Sequence, residues 1–201
     1  MGTAGGDKNL RIDLVRRAAR LTATVNELAL DHLEGRRTAG FSLVGAGTEA
    51  IDAGFAALEP LSTKMLCSVM PVLRFDPWGP ALELNERSRR RGVELRSVVS
   101  ERSLGLNPLL TSIDPTTRVG HAATTVYLID RDRAVLPGPL THDGLATIWC
   151  ATAGPVLGPA LELWDLIWAS SHPAVAAGAR PPFTERQVRT AILLARGAKD
   201  A

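Results

Sequence analysis

Two glycines and a hydroxyl, Gly45-Ala46-Gly47-Thr48, lie between an apolar strand-like segment and a helix-like one, a setting in which backbone N–H groups can cradle a phosphate. The dinucleotide fingerprint needs a third glycine and an acidic residue about twenty positions on, and the P-loop needs Gly-Lys followed by Ser or Thr. Neither is complete here, so a tight strand-to-helix turn with Thr48 as helix cap accounts for the same residues. Cys67 and Cys150 each sit inside an apolar segment with no His at ligand spacing. They read as buried small hydrophobes, not as a disulfide or a metal pair. Arg87, Arg89, Arg90 and Arg91 form the densest basic cluster, just before Gly92. Cations there offset the negative end of a helix dipole, a structural role preferred to anion binding. No metal site and no cofactor is expected.

The elements that must position such residues follow from periodicity. Residues 10–37 read as one long amphipathic helix in which Leu14, Ala18, Leu21, Val25, Leu28 and His32 recur in steps of four and three, a coiled-coil spacing. Pairing with a second helix and lying on the chain's own domain both satisfy that seam, and His32 reads as a partly buried spacer on it. Beyond Gly40, strand-like and helix-like pieces alternate. Strands are expected at 41–44, 65–70, 93–99, 122–129, 133–137 and 145–151, with a hairpin across Asp130-Arg131-Asp132. Helices are expected at 48–58, 80–91, 109–113 and 158–171, the last with Pro159 in its first turn. This alternation predicts an α/β layered domain with a central sheet. Thr184 and Gln187 then supply a capping box to a short last helix with Val188, Ala191, Ile192 and Ala195 on one face and Gly197 at its end.

The 201 residues are 45% hydrophobic with a formal net charge of +2. That suffices for one sizeable core and is too little positive charge to mark a nucleic-acid binder by bulk electrostatics. No apolar run approaches the roughly 18 to 20 residues needed to cross a bilayer. Residues 1–9 read as a flexible polar start without a signal-peptide hydrophobic region, so a cytoplasmic protein with no membrane partner is expected.

The segment Ala123-Thr124-Thr125-Val126-Tyr127-Leu128-Ile129-Asp130 resembles, in the order of elements around Asp130, the strand of phospholipase D-like enzymes that carries His-x-Lys-x-x-x-x-Asp. In that family His attacks phosphorus, Lys holds the phosphate oxygens and Asp sits at the following turn. The same spacing ending at Asp130 puts Ala123 in the place of His and Thr125 in the place of Lys. Alanine cannot attack phosphorus and threonine cannot neutralise a phosphate. His121 lies two positions earlier, on the same face as Ala123. The resemblance implies a phospholipase D-like layered domain with a central sheet, preceded by a long helix and followed by a short C-terminal helix. Ala123, Thr125 and Asp130 would mark a degenerate phosphate site, no catalytic residue remains, and the chain is expected not to be an enzyme.

A wider resemblance joins these parts. Leu128-Ile129-Asp130-Arg131-Asp132-Arg133-Ala134-Val135-Leu136-Pro137, the Arg91-Gly92-Val93-Glu94-Leu95-Arg96 junction, Leu163-Trp164 with Trp168-Ala169, and the tail Phe183-Thr184-Glu185-Arg186-Gln187 with Leu194-Ala195-Arg196-Gly197 are similar to TrmB-like, LuxR-terminated actinobacterial transcriptional regulators. The likeness implies a flexible start (1–9), a linker or dimerisation helix (10–39), a phospholipase D-like effector domain (40–174), a hinge (175–182) and the first helix of a LuxR-type helix-turn-helix (183–201). The helices that would enter DNA are expected beyond Ala201. The function implied is that of a regulator's effector-sensing and dimerisation part, pairing with itself or a full-length paralogue through 10–37 and reaching DNA only indirectly. Its unknown small-molecule effector is expected near Met70, Arg74, Trp78, Arg96 and Thr125, each of which also reads as core or solvated surface. The alternatives are a phospholipase D-type phosphodiesterase and a pure protein-interaction module.

Overall fold

The computed structural model describes residues 3–180 and 182–197, with side chains from residue 8 onward. In chain order the elements are α1 (Thr3–Leu33), β1 (Phe41–Ala46), α2 (Thr48–Leu58), a 3-10 turn (Glu59–Leu61), β2 (Met65–Met70), α3 (Ala81–Arg90) and β3 (Glu94–Val99). There follow α4 (Arg102–Leu106), α5 (Leu110–Ile113), β4 (Arg118–Val119), β5 (Val126–Ile129), β6 (Arg133–Pro137), β7 (Thr147–Ala151), α6 (Gly154–Ser170), β8 (His172–Pro173) and α7 (Glu185–Ala195).

The strands form one eight-stranded sheet in the order β1-β7-β6-β5-β2-β3-β4-β8. The pairs β2–β3 and β3–β4 are parallel, while the rest are antiparallel. A parallel neighbour requires a crossover, and α3 supplies it between β2 and β3. Strand alternation divides the buried residues between two faces. Cys67, Val69, Val98, Val126, Leu128 and Leu136 point to the layer of α1 and α6, where Leu163, Trp164 and Ile167 complete the main core. Ile129, Val135 and Cys150 point the other way, beneath Phe55 and Leu58 of α2. The two thiols therefore lie on opposite sides of the sheet, free and buried. Burial pushes Cys67 up to about 12, against the opposing pull of nearby guanidinium groups.

The seam of α1 is resolved in favour of the chain's own domain. Leu14, Ala18, Leu21, Val25 and Ala29 are all 3% exposed or less and belong to the same core as α6 and the sheet. His32 closes the seam edge-on against Trp149, 5.2 Å between centroids, and Trp149 stacks on Phe41 at 5.0 Å. Its indole N–H donates to Thr147 Oγ1 at 2.9 Å. Helix α1 begins at Thr3 and not near residue 10, so the expected flexible start is helical from that residue.

Three local expectations shift for physical reasons. Gly47, with φ 80°, is the cap of α2, and Thr48 is already helical. A Cβ at Gly45 would lie 2.4 Å from the Ala50 carbonyl oxygen, and one at Gly54 would lie 2.4 Å from Val44 Cγ1. The glycines of this turn thus let β1 and α2 pack at close range, which removes the need for a phosphate. Strand β5 starts at Val126, four residues later than expected, because residues 120–125 are irregular, with Ala122 N–H donating to Gly120 O at 2.9 Å. Helix α6 starts at Gly154 with Pro155 in its first turn, leaving Pro159 inside the helix. The arginine cluster is structural. Arg87 pairs with Glu83 and Arg90 with Glu86 along α3, and Arg91 ties the helix end to the Glu59 carboxylate and to the Glu59 and Ser62 carbonyls.

Among the described residues, no helix is long and apolar enough to cross a membrane. Helix α7 carries the expected capping box, with Thr184 and Gln187 exchanging side-chain and backbone bonds.

Candidate functional site

Between the sheet and α2, α3 and α5 lies a cavity of about 390 Å³, within the range of small-molecule sites. Its floor is sheet. Leu66, Ser68 and Met70 of β2 alternate with the core-facing Cys67 and Val69, and Leu95, Ser97 and Tyr127 continue the same face on β3 and β5. Phe55 and Leu58 of α2, Leu82 of α3 and Leu110 and Ile113 of α5 make the walls, and residues 73–76 form the rim. The Tyr127 ring meets Phe55 edge-on at 5.0 Å, and burial raises its phenol above its ordinary value.

A few hydroxyls interrupt this apolar lining. Ser68 donates to Ser97 at 3.1 Å across the parallel β2–β3 pair. Ser62 and Thr117, which also line the cavity, are 1% and 2% exposed, and neither hydroxyl has a partner among the described residues. Buried hydroxyls without partners are uncommon because each costs roughly 1–3 kcal/mol. Around the cavity stand four carboxylates, Asp52, Glu59, Asp76 and Asp114, and one guanidinium, Arg74. Burial would raise Glu59, but the Ser88 hydroxyl at 2.7 Å and Arg91 hold it below its ordinary value.

The residues expected to bind ligand are not brought together. Met70 and Arg74 line the cavity. Thr125 immediately precedes β5, and the Val69–Val126 register sets it at the same end of the sheet as Met70. Arg96 lies on the opposite face, ion-paired with Glu94 at 2.8 Å and set over the Trp168 ring at 5.4 Å, with Arg118 at 4.9 Å from the same ring. Trp78 is 70% exposed on the 71–80 loop under Arg196, 5.6 Å from its guanidinium.

Asp130 is likewise far from Ala123 and Thr125, since β5 separates them. Asp130 and Arg131 turn the chain with φ values of 49° and 62°, a backbone twist suited to a tight hairpin. The Asp130 carboxylate accepts from Thr63 N–H at 2.9 Å, Thr63 Oγ1 at 2.6 Å, and the Lys64 and Met65 N–H groups at 2.8 Å each. Partial burial acts to raise it, but these donors outweigh that and hold it well below the usual carboxylate range. It clamps the β5–β6 turn to the start of β2. Ala123 and Thr124 border a separate open groove on α1 lined by small uncharged side chains, among them Ala18, Ala19, Thr22 and Ala23.

Ser62, Ser68, Ser97, Thr117 and Tyr127 line the cavity without having stood out in the sequence as site residues. The available signal was a serine in the middle of an otherwise apolar strand at position 68, and a second serine at position 97 on the same face as Leu95.

The tail is tied at both ends to segments that border the cavity. Thr111 Oγ1 donates to Arg180 O at 2.6 Å, and Phe183 N–H donates to Ser112 Oγ at 2.9 Å, both on α5. At the far end Arg196 Nε donates to Pro77 O at 2.6 Å, on the loop that forms the rim.

Comparison with solved structures defines the fold as phospholipase D-like. Phosphatidylserine synthase from Haemophilus influenzae Rd KW20 superposes with a TM-score of 0.51 at 10% identity, over 90% of this chain and 47% of its own. NucT from Helicobacter pylori gives 0.50 at 9% identity, over 66% and 98%. Nuc from Salmonella typhimurium, a phospholipase D family member, gives 0.49 at 13% identity, over 66% and 96%. No protein-family model and no curated protein sequence matches the chain. These neighbours correct one expectation. Ala123 and Thr125 were read as the mark of a chain that is not an enzyme, but its architecture is one shared with enzymes such as the synthase, and that reading does not stand.

Proposed function

We propose that this chain is an effector-sensing domain of the kind found in transcriptional regulators, with the cavity under α3 as the sensing site and α7 as its output. The observation that carries the reading is the tethering of the tail. Helix α5 and the 71–80 loop build cavity wall and rim, and the same two segments hold Phe183 and Arg196 at the two ends of α7. A ligand that moves either segment changes what the tail is bonded to, which is the differential contact that coupling between two sites requires. The tail's resemblance to the opening of a LuxR-type helix-turn-helix supports a regulatory output, with DNA reached indirectly through further helices or a partner. Pairing with a second copy or a full-length paralogue has the outward face of α1 available, where Ile12, Val15, Leu30 and Leu33 are 40–65% exposed. A cytoplasmic setting fits this role.

The test is two-dimensional NMR with a neutral eight-carbon probe, 1-octanol. The amides of Ser68 and Ser97 are expected to shift, and with them the Phe183 amide, whose hydrogen bond runs to Ser112. Movement of the cavity amides with an unmoved Phe183 and Arg196 would leave a binding site but remove the sensing role.

A further inference from the structure

From the same cavity we infer the chemical class of its occupant: a neutral molecule, mostly aliphatic or aromatic, with a hydrogen-bonding head of hydroxyl or carbonyl groups, and not a phosphate. This rests on the sensing reading above and adds what the site selects. Three observations lead to it independently.

The first is the pair of orphan hydroxyls. Ser62 Oγ follows the 3-10 turn and Thr117 Oγ1 precedes β4; both are sequestered from solvent, border the cavity and lack a partner among the described residues. A hydroxyl carries one donor and two acceptor sites; Ser68 and Ser97 offer theirs from the cavity floor, and a χ1 rotation of Ser62 or Thr117 toward the cavity would let each serve a ligand hydroxyl or carbonyl. A site built to hydrogen-bond a substrate group discriminates strongly in its favour, since the orphaned group is satisfied only when that substrate is bound.

The second is charge. Among the lining residues, four carboxylates face one guanidinium, and that guanidinium, Arg74, is exposed on the rim. Glu59 is compensated by Arg91, whereas Asp76 and Asp114 accept from backbone N–H groups and a hydroxyl (Asp76 from Trp78 and Gly79, Asp114 from Thr116), Asp76 being exposed on the rim like Arg74. An anion entering here gives up its hydration and meets like charges. Phosphate-binding sites instead present cations or convergent N–H groups.

The third is the lining itself. Phe55, Leu66, Leu82, Leu95, Leu110 and Tyr127 offer an apolar ligand body burial worth more than the few polar contacts, while a small sugar or a free polyol would leave those walls unmatched.

Three probes of graded head group decide it, followed by calorimetry and by amide shifts at Ser68, Ser97 and Thr117: 1-octanoyl glycerol, octyl phosphate and glycerol. Octanoyl glycerol is expected to bind at least tenfold more tightly than octyl phosphate, and glycerol not to bind. Octyl phosphate binding as tightly as the glyceride, or glycerol binding alone, overturns the assigned class and leaves a sensing cavity standing; no shift with any of the three overturns both. Thr117→Val gives a readout that loss of folding cannot mimic. Removing a hydroxyl without a partner should leave the thermal midpoint unchanged or higher, while affinity for octanoyl glycerol falls about five- to tenfold. Unchanged affinity in both Thr117→Val and Ser62→Ala would overturn the anchoring role.

Discussion

Leu21→Asp is expected to lower stability by at least about 4 kcal/mol, since it removes a fully buried side chain and puts an unpaired charge in its place. Leu21 is 2% exposed in the core that α1, α6 and the sheet share, a cluster of hydrophobic side chains. With a typical total of about 5–15 kcal/mol, most of the folded margin disappears. The urea midpoint should fall equally at two protein concentrations tenfold apart, because the contact is within one chain. Leu33→Asp, at a position 65% exposed, should stay within about 0.5 kcal/mol of the parent. A Leu21→Asp chain that keeps the parental midpoint but loses self-association would reassign the α1 seam to a partner.

Asp130→Asn is expected to cost about 2–3 kcal/mol near neutral pH. Four donors converge on one carboxylate, and charge-assisted bonds are the stronger kind, although partial exposure of the turn discounts their sum. Asparagine tolerates the positive φ of this turn, so the loss isolates charge and acceptor capacity from backbone strain. The pH dependence has a fixed sign. The folded-state carboxyl is held below its ordinary value, so its stabilisation is complete above that value and is lost as pH falls toward the folded one. The gap between parent and variant, measured by denaturation from pH 7 down to pH 3, should therefore narrow. A gap that stays constant would mean the four contacts do not act through the charge.

This aspartate also shows what the sequence could and could not say. The hairpin at Asp130-Arg131-Asp132 and the central sheet were legible because turn chemistry and strand alternation are local, while the phospholipase D-like form came from the resemblance around Asp130. It could not say that Asp130 serves the start of β2, since the partners Thr63, Lys64 and Met65 lie more than sixty residues away in sequence. The seam of α1 was legible as a stripe, but a stripe does not name its partner, and Trp149 and α6 settle that only in three dimensions. Of the expected ligand residues, Met70 and Arg74 reach the cavity, while Arg96 fell to the opposite face by the alternation of β3. Ser68 was visible as a polar interruption of an apolar strand, whereas Ser97 sits in a strand that also carries Glu94 and Arg96, and their pairing across β2–β3 depends on a parallel register that only the crossover through α3 creates.

Recognition in the cavity, and not at residues 120–125, is tested most directly by titrating 1-octanoyl glycerol into two variants. Ser97→Leu fills the cavity floor and removes the acceptor for Ser68, so binding should weaken more than tenfold while the unfolding transition remains cooperative. Ala123→Trp places a large ring at the exposed position of the 120–125 segment and should leave affinity within about twofold of the parent, a difference of about 0.4 kcal/mol. Binding lost in Ala123→Trp and retained in Ser97→Leu would contradict the account.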